Sequence, residues 1–163
     1  MRLAIIADTH LPRGRRALPA ACEARLRAAD AILHAGDFVE APVLRGLEAL
    51  GPPVHAVSGN QDDPVLRHVL PEVRTVTAGG ARIAMVHDAG PAGGRLARMR
   101  RRFPDADAVV FGHSHIPLLE RDGDGFAIFN PGSPTDRRRQ PVHTMGLATV
   151  ADGRIDFELV ELG

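Results

Sequence analysis

The stretch Leu3-Ala4-Ile5-Ile6-Ala7-Asp8-Thr9-His10 runs five apolar residues straight into an Asp-x-His. A short continuous apolar run reads as a strand buried on both faces, the pattern of a central strand in an α/β sheet. Ligands in open α/β sheets bind beyond the carboxyl ends of the strands, where Asp8 and His10 stand. In extended chain, residues two apart point the same way, so this spacing predicts a carboxylate and an imidazole converging on one site. By itself Asp-x-His also fits a capped turn after a strand. Its weight depends on whether the rest of the chain answers it.

The answer comes in the strand-like segments that follow. A helix is expected over 18–29, with Leu18, Cys22 and Leu26 on one stripe, then a strand over 31–35 that ends in Gly36-Asp37. A second helix over 42–50 leads to a strand over 54–57 and the loop Ser58-Gly59-Asn60-Gln61-Asp62-Asp63, with a short helix over 64–70 behind it. Gly79-Gly80 marks a hairpin between 72–77 and 82–86, which delivers His87. A helix over 93–103 with a basic C-terminal turn precedes a buried strand over 108–111, which runs into Gly112-His113-Ser114-His115. Short strands follow over 116–120, 126–129, 143–150 and 154–161, with tight turns at Asp122-Gly123 and Asp152-Gly153. No linker or repeat divides the chain, so one domain over 1–163 is expected. β-α units followed by a hairpin-rich half predict two sheets packed face to face with helices outside.

The 163 residues suffice for a sizeable core, and 44% hydrophobic with 25% charged residues is ordinary for a globular chain. Twenty basic and twenty acidic residues cancel, and there is no Trp or Tyr, which counts against long nucleic-acid substrates without removing them. The single cysteine, Cys22, forms no disulfide framework and reads as a small apolar residue on a helix face. No apolar run reaches the ~20 residues of a membrane span, and no secretory leader is recognisable, so a cytoplasmic setting without membrane attachment is expected.

Asp8, His10, Asp37, Asn60, His87, His113 and His115 therefore all lie at, or within three residues of, the carboxyl end of an apolar run. Mixed carboxylate, imidazole and amide donors suit borderline divalent ions such as Mn²⁺, Fe²⁺, Ni²⁺, Co²⁺ or Zn²⁺, whereas Ca²⁺ and Mg²⁺ prefer all-oxygen shells. Seven donors exceed the need of one tetrahedral ion and suffice for two if one carboxylate bridges.

Asp8-x-His10, Gly36-Asp37, Gly59-Asn60-x-Asp62, His87 and Gly112-His113-Ser114-His115 resemble, in that order, the signature of the calcineurin-like metallophosphoesterases. Asn130-Pro131-Gly132-Ser133 is similar to a site-closing loop in the small single-domain YfcE-like phosphodiesterase branch. The resemblance implies an α/β fold, a four-layer α-β-β-α sandwich of two mixed sheets. It implies that Asp8, His10 and His115 hold one ion, that Asn60, His87 and His113 hold the other, and that Asp37 bridges them. The implied catalytic set is Asp37, Asn60, His87 and His113 around a metal-bridging hydroxide. The implied activity is hydrolysis of phosphate esters, diesters first, on a small phosphorylated substrate, with two divalent transition-metal ions of which Mn²⁺ is the first expectation. Monoesters or nucleic acids are alternative substrates for the same centre. A retromer subunit uses the fold as a scaffold, but this chain keeps an imidazole at every histidine position of the implied metal-ligand set. The oligomeric state stays open, a homo-oligomer included.

Two positions depart from the family pattern. Gln61 stands where many relatives carry a His that protonates the leaving group, and a primary amide gives no usable proton. Asp88 follows His87 where Gly is common, either to orient the imidazole or to face solvent. His34 reads as a satisfied core histidine close to the site, and His55, His68 and His143 read as structural or exposed. Arg98, Arg100, Arg101 and Arg102 fit a solvated helix end, while Arg13, Arg15, Arg16 and Arg137, Arg138, Arg139 are placed to rim a pocket or to remain plain surface charge.

Overall fold

The computed structural model describes residues 1–163. In chain order its elements are β1 (Arg2–Ile6), α1 (Ala20–Arg27), β2 (Ala31–His34), α2 (Ala41–Glu48), β3 (Val54–Ala56), α3 (Pro64–Val69) and β4 (Val73–Ala78). They continue with β5 (Ala81–Val86), α4 (Arg95–Arg102), β6 (Ala108–Val110), β7 (Leu118–Arg121), β8 (Ala127–Asn130), β9 (Thr144–Ala151) and β10 (Arg154–Glu161). Two five-stranded mixed sheets result, ordered β10-β9-β1-β2-β3 and β4-β5-β6-β8-β7. Strands β1, β2 and β3 run parallel, as do β5, β6 and β8.

Alternation along the strands builds the layers. Leu3 and Ile5 of β1, with Leu33 and Val57, point between the sheets and meet Ile83, Met85, Val110 and Phe129. Ala4, Ile6 and Ile32 point outward onto Cys22 and Leu26 of α1, Leu47 of α2 and Leu66 of α3. On the far side Ala84, Val109 and Ile128 pack against Met99 of α4 and Phe126. Each such large side chain removed from water contributes roughly 1.5–3 kcal/mol, so β1 and β2, buried on both faces, anchor the sandwich. The architecture is the four-layer α-β-β-α sandwich that the resemblance implied.

Gly79-Gly80 (φ 53° and 84°) and Asp152-Gly153 (φ 51° and 75°) both turn with two left-handed residues, the type I′ geometry that matches strand twist. The other expectations shift locally. Asp122-Gly123 is not a tight two-residue turn: Asp122 Oδ1 accepts from the Asp124 and Phe126 N–H groups, and the left-handed glycine is Gly125 (φ 93°). Strand β7 starts at Leu118 rather than Ile116, because Pro117 offers no N–H to the ladder. Helix α1 starts at Ala20 rather than Leu18, with Pro19 as its N-cap at φ −57° and ψ 141°.

Candidate metal centre

The seven donor residues gather at one edge of the sandwich, past the ends of β1, β2, β3, β5 and β6. Asp8 and His10 do not converge by extended-strand alternation, as the sequence spacing suggested. Both are left-handed (φ 55° and 45°), as are Asp37 (63°), His113 (67°) and His115 (60°). An L-residue held there costs on the order of 1–3 kcal/mol, and such strain concentrates where side chains must be aimed. At each of these residues the left-handed backbone, rather than strand alternation, aims the side chain at the cluster of donors.

Two groups form around Asp37. His10 Nε2 lies 3.1 Å from His115 Nε2 and 3.5 Å from Asp37 Oδ2, and His115 Nε2 lies 3.6 Å from Asp8 Oδ1. On the other side, His87 Nε2 stands 3.4 Å from Asp37 Oδ2 and 3.0 Å from Asn60 Oδ1, which is also 3.0 Å from His113 Nδ1. The donor atoms of Asp8, His10 and His115, and those of Asp8, Asp37 and His87, lie within 4.8 Å of one another in each triad. Asn60 and His113 join the second group through their 3.0 Å approach.

The hydrogen bonds behind the rings decide which nitrogens face inward. His87 Nδ1–H donates to the Ala35 carbonyl at 2.7 Å, and His115 Nδ1–H donates to the Asp136 carbonyl at 2.5 Å. In the neutral rings both Nε2 lone pairs therefore point at carboxylate, amide-oxygen and imidazole acceptors. Asp8 Oδ2 is buried without any hydrogen-bond partner. Converging acceptors with an orphaned carboxylate oxygen are the setting a divalent cation relieves, and the mixed N/O donor set suits a transition metal.

The electrostatics carry the same imbalance. Burial pushes the Asp8 carboxyl up to about 8 and the His10 imidazole down to about 4. Burial is the largest influence on Asp37 and His87 too and opposes both charges, but it is outweighed by several smaller ones together: their mutual hydrogen bond and attraction, the Gln61 N–H on Asp37, and Asp8 and the Ala35 carbonyl on His87. The carboxyl is held at about 2 and the imidazole is raised to about 9.

A ring of residues outside the donors fixes them. His34, wholly buried and stacked on Phe38 with centroids 3.5 Å apart, accepts the Gly36 N–H at Nδ1 and meets Thr9 Oγ1 at Nε2, 3.1 Å away. It is the satisfied core histidine expected, and it joins the β1 and β2 loops. Ser133 Oγ donates to the Asp8 carbonyl at 2.8 Å and accepts the Asp136 N–H at 2.8 Å, and the Thr135 hydroxyl donates to the Thr9 carbonyl. The Asn130 amide donates to the Gly112 carbonyl at 2.9 Å. Buried Asp62 accepts the N–H groups of Gly59 and Val39, holding the β3 loop to the β2 loop. Sequence reasoning singled out neither Thr135 nor the roles of Asp62 and Asp136; the only local signal was the density of Asp, Ser and Thr in these loops.

Asp88 does not orient His87. Its Oδ1 accepts the Gly90 N–H at 2.7 Å and its Oδ2 lies 4.0 Å from His113 Nε2. Arg13 donates to Gln61 Oε1 at 2.9 Å, and Arg16 pairs with Asp136 at 3.0 Å, so this cluster reaches the site's loops. The α4 arginines are more than a solvated face: Arg98 donates to the Ala89 and Pro91 carbonyls, and Arg100 lies over the Phe126 ring.

A strand-end cage of carboxylates and imidazoles on a two-sheet sandwich defines a candidate metal-dependent hydrolase. The chain belongs to the calcineurin-like phosphoesterase superfamily, whose domain profile matches residues 1–153. It is 31% identical over 168 residues to a probable metallophosphoesterase of Methanothermobacter thermautotrophicus, covering 100% of this chain and 94% of that one. Among solved structures it is similar to a single-mutant Vps29 from Entamoeba histolytica, with a TM-score of 0.79 and 25% identity across 100% of both chains. It shares its fold with an archaeal phosphodiesterase at a TM-score of 0.74 and 20% identity, over 98% of this chain and 100% of that one. No helix is long and apolar enough to cross a membrane.

Proposed function

We propose that this chain, as a single domain over 1–163, hydrolyses phosphodiesters with two divalent transition-metal ions. Asp8, His10 and His115 hold one ion, Asn60, His87 and His113 hold the other, and Asp37 lies between them. One observation carries the reading: His87 and His115 each commit Nδ1–H to a backbone carbonyl, which turns both Nε2 atoms toward Asp37 and its neighbours. When bound, two such ions lower the pKa of a shared water and neutralise charge on a transferring phosphoryl group. The donor set carries only the carboxylates of Asp8 and Asp37 against two divalent charges, so the loaded site keeps a net positive charge suited to a phosphate ester. Abundant imidazole favours Mn²⁺, Fe²⁺, Co²⁺, Ni²⁺ or Zn²⁺, with Mn²⁺ first. The diester preference follows the likeness of Gly112-His113-Ser114-His115 and Asn130-Pro131-Gly132-Ser133 to the YfcE-like branch. A reducing cytoplasm suits the unpaired Cys22.

The test is hydrolysis of bis-p-nitrophenyl phosphate by metal-supplemented protein. Turnover with Mn²⁺ that is abolished in Asp37→Ala supports the reading. No turnover with Mn²⁺, Ni²⁺, Co²⁺ or Zn²⁺ returns the chain to a non-catalytic scaffold of the same fold.

A further inference from the structure

A cavity of about 440 Å³ opens beside the second donor group, within the size range of small-ligand sites. Asn60, His87 and His113 line it together with Arg67 and Arg102. The arginines come from separate layers: Arg67 from the last turn of α3, whose Leu66 packs on the first sheet, and Arg102 from the end of α4, whose Met99 packs on the second. Neither guanidinium has an ion-pair partner among the chain's salt bridges. Arg102 lies over the Phe103 ring, 5.1 Å from its centroid, which supports the guanidinium by its face and leaves its N–H edges free. Two carboxylates share the cavity. Asp88 is held by the Gly90 N–H and faces His113 Nε2 at 4.0 Å, and neither it nor Glu72 is ion-paired with Arg67 or Arg102.

We propose that Arg67 and Arg102 select esters whose organic part carries a second phosphate, seated between them while the scissile phosphate lies over Asn60, His87 and His113. This rests on the phosphodiesterase reading and adds the substrate class. Two guanidiniums lining one cavity from different elements suit the several oxygens of a phosphate dianion, because each fork can take its own pair of oxygens. A planar carboxylate is filled by one fork. An uncharged substituent gains nothing from either.

The test compares the p-nitrophenyl ester of thymidine 5′-monophosphate with the same compound bearing a 3′-phosphate, both with Mn²⁺. The reporter group is identical and only the second phosphate differs. The expected result is kcat/KM about tenfold higher for the 3′-phosphorylated compound, mainly through KM, as charge-assisted hydrogen bonds at a partly exposed site allow. In Arg67→Gln and Arg102→Gln that ratio falls toward one, while Arg101→Gln, on the same helix end but outside the cavity, keeps it. Calorimetry supplies a readout independent of turnover: thymidine 3′,5′-bisphosphate binds about tenfold more tightly than thymidine 5′-monophosphate, and both Gln variants remove the difference. Equal kcat/KM and equal affinity in the unaltered protein, or a preference that survives both substitutions, overturns the inference and leaves the hydrolase reading intact. No turnover of either ester overturns both.

Discussion

Gly59 lies directly against Asp37: a Cβ added to Gly59 would stand 2.2 Å from both the Asp37 backbone nitrogen and its Oδ1. The same Oδ1 accepts the Gln61 N–H at 2.8 Å, so the β3 loop wraps closely around the carboxylate proposed to lie between two ions. Gly36, left-handed at φ 88°, is crowded similarly, with an added Cβ 2.7 Å from His87 Nδ1. The glycines before Asp37 and Asn60 thus leave the room in which neighbouring donor groups sit.

Gly59→Ala is expected to push the β3 loop off Asp37, because the obstructing atoms are backbone and a fixed carboxylate rather than a flexible chain end. Overpacking of this kind costs about 3 kcal/mol. Urea unfolding should show that loss, with metal-dependent turnover gone. Unchanged stability and activity would mean that the loop accommodates a methyl and that the close approach has no consequence.

Ser133 Oγ ties the Asp8 carbonyl to the N–H groups of Thr135 and Asp136, whose carbonyl in turn orients His115. Ser133→Ala leaves these buried groups unpaired, for a loss of about 1–3 kcal/mol. Loosened support of a donor ring typically costs 10–100-fold in metal affinity. Titration with Mn²⁺ is therefore expected to show at least about a tenfold weaker site. Unaltered affinity would separate Ser133 from the metal centre.

Gln61 accepts the Arg13 N–H at 2.9 Å and has no proton to give a departing alkoxide. Across a series of aryl phosphodiesters the rate should fall steeply as the leaving-group pKa rises. In Gln61→His the fall should flatten, with gains of about tenfold or more for the poorest leaving groups and little change for p-nitrophenol. Parallel slopes in the two proteins would show that the missing acid is supplied elsewhere.

His34 sets a pH dependence. Burial lowers its imidazole from the ordinary 6.5 to about 3. Between those values the unfolded chain binds a proton that the folded chain refuses, so the stability His34 contributes above pH 6.5 is lost as pH falls toward 3. One proton corresponds to about 1.4 kcal/mol per pH unit. Unfolding free energies measured with chelator from pH 6 to 4 should slope less in His34→Gln by roughly that amount. Identical slopes would place the acid sensitivity on other groups.

Much of this was legible in the chain because it is written in short-range order. The run Leu3–Ala7, the Gly79-Gly80 and Asp152-Gly153 turns and the polar residues after each apolar run locate the strands and the edge that carries the donors. The backbone conformation at that edge was not legible. Asp8 and His10 looked like neighbours on an extended strand, yet both are left-handed, held so by hydrogen bonds to loops that arrive much later in the chain. Ser133 reaches Asp8 across 125 residues, and Arg13 reaches Gln61 across 48. Contacts of that separation leave no periodicity to read, so the supporting ring and the Arg67–Arg102 cavity emerge only once the sheets are paired.

In the proposed centre Asp37 stands between two ions. Anomalous diffraction from crystals soaked in Mn²⁺ tests it most directly. Two peaks about 3.5–4 Å apart are predicted, both within bonding distance of the Asp37 carboxylate, with Asp8, His10 and His115 on one and Asn60, His87 and His113 on the other. A single peak, or two peaks of which Asp37 touches only one, would contradict it.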